Sequence, residues 1–205
     1  MLHERLDRRQ VIRGSQLALL MLLAGRRPAS AAINADAAQA MIQDVGSKVL
    51  TVLRDPDLSN NEKFSRLVDL LDGPIDLDLV ARLILGRHWR TASGPQQQEY
   101  LKLFRAFALD NLASRLHVYD GQDFEIVSAK AVNDSDALVS TRVIGGSHAP
   151  LKVDWRIRER DDGGLVAIDV IVEGVSMIVT QRSEFSSVIE RQGMDGLLAE
   201  LRQRS

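Results

Sequence analysis

The histidines, serines and glycines of this chain do not follow the spacings that catalytic or metal-binding motifs require. His88, His117 and His148 have no metal-ligand spacing to one another or to a carboxylate cluster. Ser176 lies in Gly-Val-Ser-Met, which is not a G-x-S-x-G elbow. The glycine pair at 145–146 is typical of a turn, not of a phosphate-binding loop. The sequence therefore predicts no cofactor and no metal site.

Asp169 is the acidic residue that raises the question of catalysis, because it lies in the apolar stretch from Leu165 to Val172. A partly buried carboxyl group can have a raised pKa and act as a general base. More often such a group pairs with a cation, and Arg156 on the adjacent predicted strand would share its face. The ion pair is the favoured interpretation, and the general base is kept as the alternative.

Residues 1–31 have the layout of a signal peptide of the twin-arginine type. Arg8 and Arg9 precede an apolar run from Leu17 to Gly25, and the small residues at 29–31 suit a signal peptidase. The apolar run is roughly half the length of a membrane-spanning helix. The sequence therefore predicts export to the periplasm, cleavage near Ala31, and one domain over residues 32–205.

The charge of the predicted mature chain argues against a nucleic-acid partner. Residues 1–31 contain six arginines and two acidic residues, which leaves 20 basic and 26 acidic residues and a net charge of −6. The chain has no cysteine. An exported domain without disulfides has to be stabilised by its apolar core alone.

The first half of the predicted mature chain has the periodicity of helices. Apolar residues recur at three- and four-residue steps, and Gly-Pro and Asp-Pro pairs separate the segments. Asp76 is a suitable N-cap and Gly86 a suitable C-cap for one of them. The predicted helices cover 35–53, 59–71, a segment from Asp76 to Gly86, and 93–117.

The second half changes to the alternating period of strands. The predicted strands are 124–131, 137–144, 151–159 and 165–172, joined by turns rich in Asn, Asp, Ser and Gly. The third strand alternates between apolar and charged residues, so one face of the sheet is apolar and the other is solvated. Helices at 181–191 and 195–203, separated at Gly193, complete an α+β pattern with a four-stranded antiparallel sheet.

Several segments in the correct order resemble the MlaC family, the toluene-tolerance or HpnM-type periplasmic phospholipid-binding proteins. The stretch from Val170 to Phe185 resembles the family's C-terminal signature, and the tail from Gly193 to Leu201 resembles its ending. The stretch from Leu83 to Arg90, followed by 97–104, is similar to its central motif. The resemblance covers nearly the whole predicted mature chain.

The resemblance implies a curved antiparallel sheet, similar to the nuclear-transport-factor-2-like cones, wrapped by helices around a lipid cavity. It implies a carrier that shuttles phospholipid, or a hopanoid-type lipid, between membranes. The implied partners are an inner-membrane lipid ABC transporter complex and an outer-membrane lipoprotein complex. We expect a monomeric protein free in the periplasm that is not an enzyme.

Strand alternation and helix faces select a set of predicted lining residues for this cavity. Packed core and lined cavity look alike in sequence, so the set is a hypothesis. Arg90 and Arg182 are the expected contacts for a lipid headgroup at the mouth. The predicted lining residues are Leu103, Phe104, Phe107, Val153, Trp155, Ile157, Val170, Val172, Met177, Phe185 and Ile189.

Two alternatives to a carrier remain open at the level of sequence. The first is an isomerase-like or cyclase-like enzyme on the same cone shape, with Asp169 as the base and a donor such as Tyr100 opposite it. The second is a periplasmic scaffold with a packed interior and no ligand. The orientation of Asp169 and the presence of a cavity distinguish them.

Overall fold

The computed structural model describes residues 32–116, 119–147 and 149–204, with the side chains of Arg115 and Leu116 excepted. The predicted signal peptide, His117 and His148 lie outside the described residues. The described helices are α1 (Ala35–Arg54), α2 (Asn60–Leu71), α3 (Leu77–Leu85), α4 (Arg87–Thr91), α5 (Gly94–Leu116) and α6 (Met177–Gln203). The strands are β1 (Asp123–Ala131), β2 (Asp136–Ile144), β3 (Leu151–Glu159), β4 (Leu165–Val172) and β5 (Val175–Ser176).

Local hydrogen bonds explain why the ends of the first three helices are predictable. The Asn34 side chain accepts hydrogen bonds from the first backbone N–H groups of α1. Ser59 and Glu62 form a reciprocal capping box at the start of α2. Asp76 accepts from Leu79 N at 2.8 Å, and Gly86 ends α3 with a positive φ of 56°. The predicted bounds of these helices are therefore confirmed to within a residue or two.

Helix α6 begins four residues before the predicted start, because two side chains cap it. The Ser176 hydroxyl accepts from Val179 N at 3.1 Å and donates to Asp169 Oδ2 at 2.5 Å. Asp169 Oδ1 also accepts from Ile178 N at 3.1 Å. These three hydrogen bonds stabilise the N-terminus of α6. The surrounding segment is apolar, and its composition alone is typical of an extended strand. The predicted break at Gly193 is confirmed as a kink with φ 71°.

Within the part of the chain that the structure describes, the sheet has five antiparallel strands in the order β1-β2-β3-β4-β5, not the four that were predicted. The fifth strand has two residues, which is too short to show alternation in the sequence. Glu173, at φ 48°, and Gly174, at φ 83°, turn the chain from β4 into it. The four longer strands match their predicted ranges to within one residue.

The described residues form two separate apolar clusters that stabilise the fold. In the first, α1 packs its buried Ala38 and Ile42 against the inner face of the sheet, including Val139 and Ile157. The second, the helical core, joins α3, α5 and α6. Tyr100 is fully buried in the helical core and donates its hydroxyl to Ala81 O at 3.0 Å. The buried apolar residues are therefore distributed between a core that faces the sheet and a separate helical core.

The outer face of the sheet carries a buried carboxylate between two arginines. Asp136 accepts from Arg156 at 2.6 and 2.9 Å and from Arg158 at 2.7 and 2.9 Å. The predicted pair of Asp169 with Arg156 is wrong. The two residues are paired in the β3–β4 register, but the Arg156 guanidinium binds Asp136 instead. The Asp169 carboxylate binds Ser176 and the backbone N–H of Ile178 at the start of α6.

Candidate functional site

A cavity of about 650 Å³ lies between α1, α2 and the inner face of the sheet. Its volume falls within the range of roughly 300–1,000 Å³ that is typical of small-molecule sites. Most of its lining is apolar. The described lining residues are Met41, Ile42, Val45, Gly46, Val49, Leu50, Leu53, Leu67, Leu71, Pro74, Ile75, Leu112, Tyr119, Gln122, Asp123, Phe124, Thr141, Val143, Gly145, Ala149, Leu151, Trp155 and Ala167.

Helix α1 supplies the longest wall, with seven residues from Met41 to Leu53 facing the cavity. The spacing of these residues follows one face of a helix over more than three turns. Most are half-buried, since the space opposite them is empty. At Gly46 the wall touches the sheet, where a Cβ would lie 2.3 Å from the Phe124 ring. The glycine therefore lets the ring pack directly against the backbone of α1.

The sheet wall hides its polar atoms from the cavity. The Thr141 hydroxyl donates to Val153 O at 2.9 Å and accepts from the Trp155 indole N–H at 3.1 Å. Both polar groups are thus satisfied within the wall. The surfaces of Trp155, Val143 and Phe124 leave this part of the cavity apolar.

The cavity opens where β1 and β3 begin and β2 ends. The register pairs Asp123 with Ile144 and Val143 with Leu151, so these residues share one end of the sheet. Lining residues at this end are exposed, including Ala149 and Leu151. Lining residues elsewhere, such as Ile42 and Leu67, are buried. The polar lining residues Tyr119, Gln122 and Asp123 lie around this open end.

Of the eleven predicted lining residues, Trp155 alone belongs to the described cavity wall. Five of the others pack in or against the helical core: Leu103, Phe104, Phe107, Phe185 and Ile189. Val153 and Ile157 are buried on the inner face, where Val170 and Val172 pair with β3. Met177 is 39% exposed at the start of α6. The broad aromatic stripe of α5 is core, because α3 and α6 cover it.

The predicted headgroup contacts also lie away from this cavity. Arg182 donates to Leu83 O at 2.6 and 3.2 Å, which satisfies a carbonyl near the end of α3. Arg90 is exposed on the short helix α4. Neither residue lines the cavity. Sequence reasoning missed Arg54, which contacts the lining residues Tyr119, Gln122 and Asp123 at the polar end. Its position directly after the cavity-lining face of α1 is the signal that could have identified it.

The pair of residues that the enzymatic alternative requires is not assembled. Asp169 caps α6 and is not a lining residue. Tyr100 is buried in the helical core, where burial raises the pKa of its hydroxyl and Ala81 O accepts a hydrogen bond from it. Asp169 therefore does not face Tyr100 across this cavity.

The described residues contain neither a membrane-spanning helix nor a metal-binding cluster of side chains. No helix there is long and apolar enough to cross a membrane. No group of three or more His, Cys, Asp or Glu side chains there is arranged to hold a metal ion.

Comparison with known proteins identifies relatives of this fold. The chain is 21% identical over 170 residues to the intermembrane phospholipid transport system binding protein MlaC of Haemophilus influenzae, covering 82% of this chain and 78% of that protein. The structure of a phospholipid-binding protein from Ralstonia solanacearum, solved in complex with a phospholipid, superimposes with a TM-score of 0.69. That protein is 26% identical, and the match covers 82% of this chain and 96% of the other.

The family match extends over both halves of the fold. Residues 43–203 match the MlaC protein family, from the cavity-lining part of α1 to the end of α6. This range includes the segments on which the sequence resemblance rests, and the resemblance is confirmed. The chain belongs to the MlaC protein family.

Proposed function

We propose that this protein carries a phospholipid between membranes, with the acyl chains in the cavity between α1, α2 and the sheet. The observation that carries the proposal is the apolar cavity of about 650 Å³ in a fold shared with a phospholipid-bound relative. A relative named for intermembrane phospholipid transport supports the same function. The acyl chains extend along the seven residues of α1, and the headgroup lies at the exposed end.

The free energy of hydration explains why such a carrier needs a dry cavity. Each exposed CH₂ group of an acyl chain costs about 0.8 kcal/mol in water. Two chains of ordinary length therefore face a barrier on the order of 20 kcal/mol if they cross water unprotected. The cavity removes most of this barrier. A bilayer solvates the chains equally well, so the partners and not the carrier's affinity determine the direction of transfer.

The proposed setting is the periplasm, reached through the signal peptide predicted at residues 1–31. We propose that the carrier is monomeric and acts by binding and release, without catalysis. Its partners are the inner-membrane lipid transporter complex and the outer-membrane lipoprotein complex implied by the sequence resemblance. A hopanoid-type lipid is the second proposed cargo, since an apolar cavity of this kind also suits a rigid polycyclic lipid.

Lipid extraction tests this function. The protein, produced with its complete N-terminus and purified without detergent, is incubated with vesicles of phosphatidylethanolamine, phosphatidylglycerol and a hopanoid. It is then separated from the vesicles and extracted with organic solvent. Mass spectrometry should find about one diacyl phospholipid per protein. A hopanoid in that ratio would change the cargo, and a lipid-free extract from folded protein would contradict the carrier function.

A further inference from the structure

A cluster of polar side chains surrounds the open end of the cavity. Arg54, the last residue of α1, donates to the Tyr119 hydroxyl at 3.2 Å and to Gln122 O at 3.2 Å. Its guanidinium also lies 3.0 Å from Asp123 Oδ2. Tyr119, Gln122 and Asp123 all line the cavity, as does Leu53, the residue before Arg54. The guanidinium is therefore held at the edge of the apolar wall.

Charge and polarity are concentrated at this end. Asp123 is the single charged residue among the described residues that line the cavity. Thr141, the lining hydroxyl on β2, is engaged within the sheet wall by Val153 O and the Trp155 indole. An amphiphile in the cavity therefore meets apolar side chains along its length and a guanidinium at its polar end.

We propose that Arg54 binds the phosphate of the lipid headgroup, which replaces the carboxylate of Asp123 as its ionic partner. This inference rests on the proposed lipid-carrier function. A guanidinium binds phosphate through two parallel N–H donors, a stronger contact than a neutral hydrogen bond. Arg54 thus distinguishes phosphate-bearing lipids from neutral lipids with the same acyl chains.

The exchange of partners is feasible because the present ion pair is exposed. The side chains of Arg54 and Asp123 are 48% and 51% exposed, and pairs of this kind contribute little to stability. Asp123 keeps a second partner, since its Oδ1 accepts from Phe124 N at 2.8 Å. When phosphate takes the guanidinium, the carboxylate stays in place as a nearby like charge. Asp123 therefore weakens phosphate binding while Arg54 strengthens it.

The test compares two lipids that differ in the phosphate alone: phosphatidic acid and diacylglycerol with the same NBD-labelled acyl chain. Fluorescence titration gives the affinity of the full-length protein for each lipid. Arg54→Gln should lower the preference for phosphatidic acid about three- to fivefold, which is the upper part of the range for an exposed ion pair. Asp123→Asn should raise the same preference. High salt should reduce it in the unsubstituted protein, because the site is exposed.

Arg142→Gln is the matched control. Arg142 pairs with Glu125 at 2.8 Å on the outer face of the sheet, with side-chain exposures of 51% and 49%. This variant removes an equally exposed ion pair on the face of the sheet opposite the cavity, and it should leave the lipid preference unchanged.

Each remaining result overturns the inference in a different way. An unchanged preference in Arg54→Gln, with both lipids still bound, would reject the Arg54 site and keep the carrier. Failure of the unsubstituted protein to bind either lipid would reject both the Arg54 site and the carrier function. A calorimetric titration with inorganic phosphate distinguishes the source of the anion. Binding of phosphate alone as tightly as phosphatidic acid would assign Arg54 to a free anion and not to a headgroup.

Discussion

The double variant Val45→Trp, Val49→Trp should lose at least about nine-tenths of its bound lipid while remaining folded, a change of about 1.4 kcal/mol or more in binding free energy. Both valines are half-buried on the cavity-lining face of α1. The indoles would occupy space that is empty in the structure, so they displace acyl chains and not packed side chains. Extraction and mass spectrometry measure the lipid, and circular dichroism measures the fold.

The control for this variant lies in the helical core. Phe104 and Phe107 pack near Tyr100 and Phe185, with neighbouring ring centroids 5.8 to 6.2 Å apart. Phe104→Leu should lower the free energy of unfolding by about 1–2 kcal/mol and leave the lipid content unchanged. Lipid loss in Phe104→Leu together with full loading in the tryptophan variant would place the lipid between α5 and α6.

Asp136→Asn should lower the free energy of unfolding at pH 7 by about 3 kcal/mol. The Asp136 side chain is 1% exposed and is the shared partner of Arg156 and Arg158. Removing its charge leaves two partly buried guanidinium groups without their anion. An unpaired buried charge is strongly destabilising, so the loss of one partner costs more free energy than the loss of all of them. Urea denaturation followed by circular dichroism measures the difference.

The same carboxylate predicts how stability depends on pH. The hydrogen bonds from Arg158 and Arg156 lower the pKa of Asp136 from 3.8 to about 2. A pKa that is lower in the folded state stabilises the fold above the unfolded value. That contribution, about 2 kcal/mol, is lost as the pH falls from about 4 through about 2. Asp136→Asn should therefore flatten the acid limb of the stability curve in this window.

Glu125→Gln serves as the control, because its partner Arg142 is exposed and the pair lies in the same sheet. We expect it to change the free energy of unfolding by less than about 1 kcal/mol. Equal effects of the two variants, or an unchanged acid limb in Asp136→Asn, would show that the buried ion pair contributes no more than a surface pair.

The sequence predicts the elements of this fold well, because their signals are local. Ser59 and Asp76 mark helix starts through contacts with residues three positions later, and Gly193 marks the kink. The start of α6 was harder to predict. Its cap depends on Asp169, a residue of β4. The turn after β4 brings Ser176 within hydrogen-bonding distance of Asp169.

The cavity wall could not be predicted in the same way. The aromatic stripe of α5 and the aliphatic stripe of α1 are both apolar helix faces. The sequence alone does not show which face packs against other side chains and which lines a cavity. The difference arises from packing. Helices α3 and α6 cover Phe104 and Phe107, whereas part of α1 faces empty space. Strand alternation identifies the inner face of the sheet, where Val153, Trp155 and Ile157 lie, but Trp155 is the one of these three that lines the described cavity.

Tryptophan fluorescence tests the position of the lipid most directly, because the chain has two tryptophans in different places. Trp155 lines the cavity, while Trp89 packs against the helical core with the Arg82 guanidinium 5.2 Å from its ring. The variant Trp89→Phe leaves Trp155 as the reporter, and Trp155→Phe leaves Trp89. Phosphatidylglycerol with brominated acyl chains should quench Trp155 and leave Trp89 unquenched, relative to the same lipid without bromine. Quenching of Trp89 with none of Trp155 would contradict lipid binding between α1, α2 and the sheet.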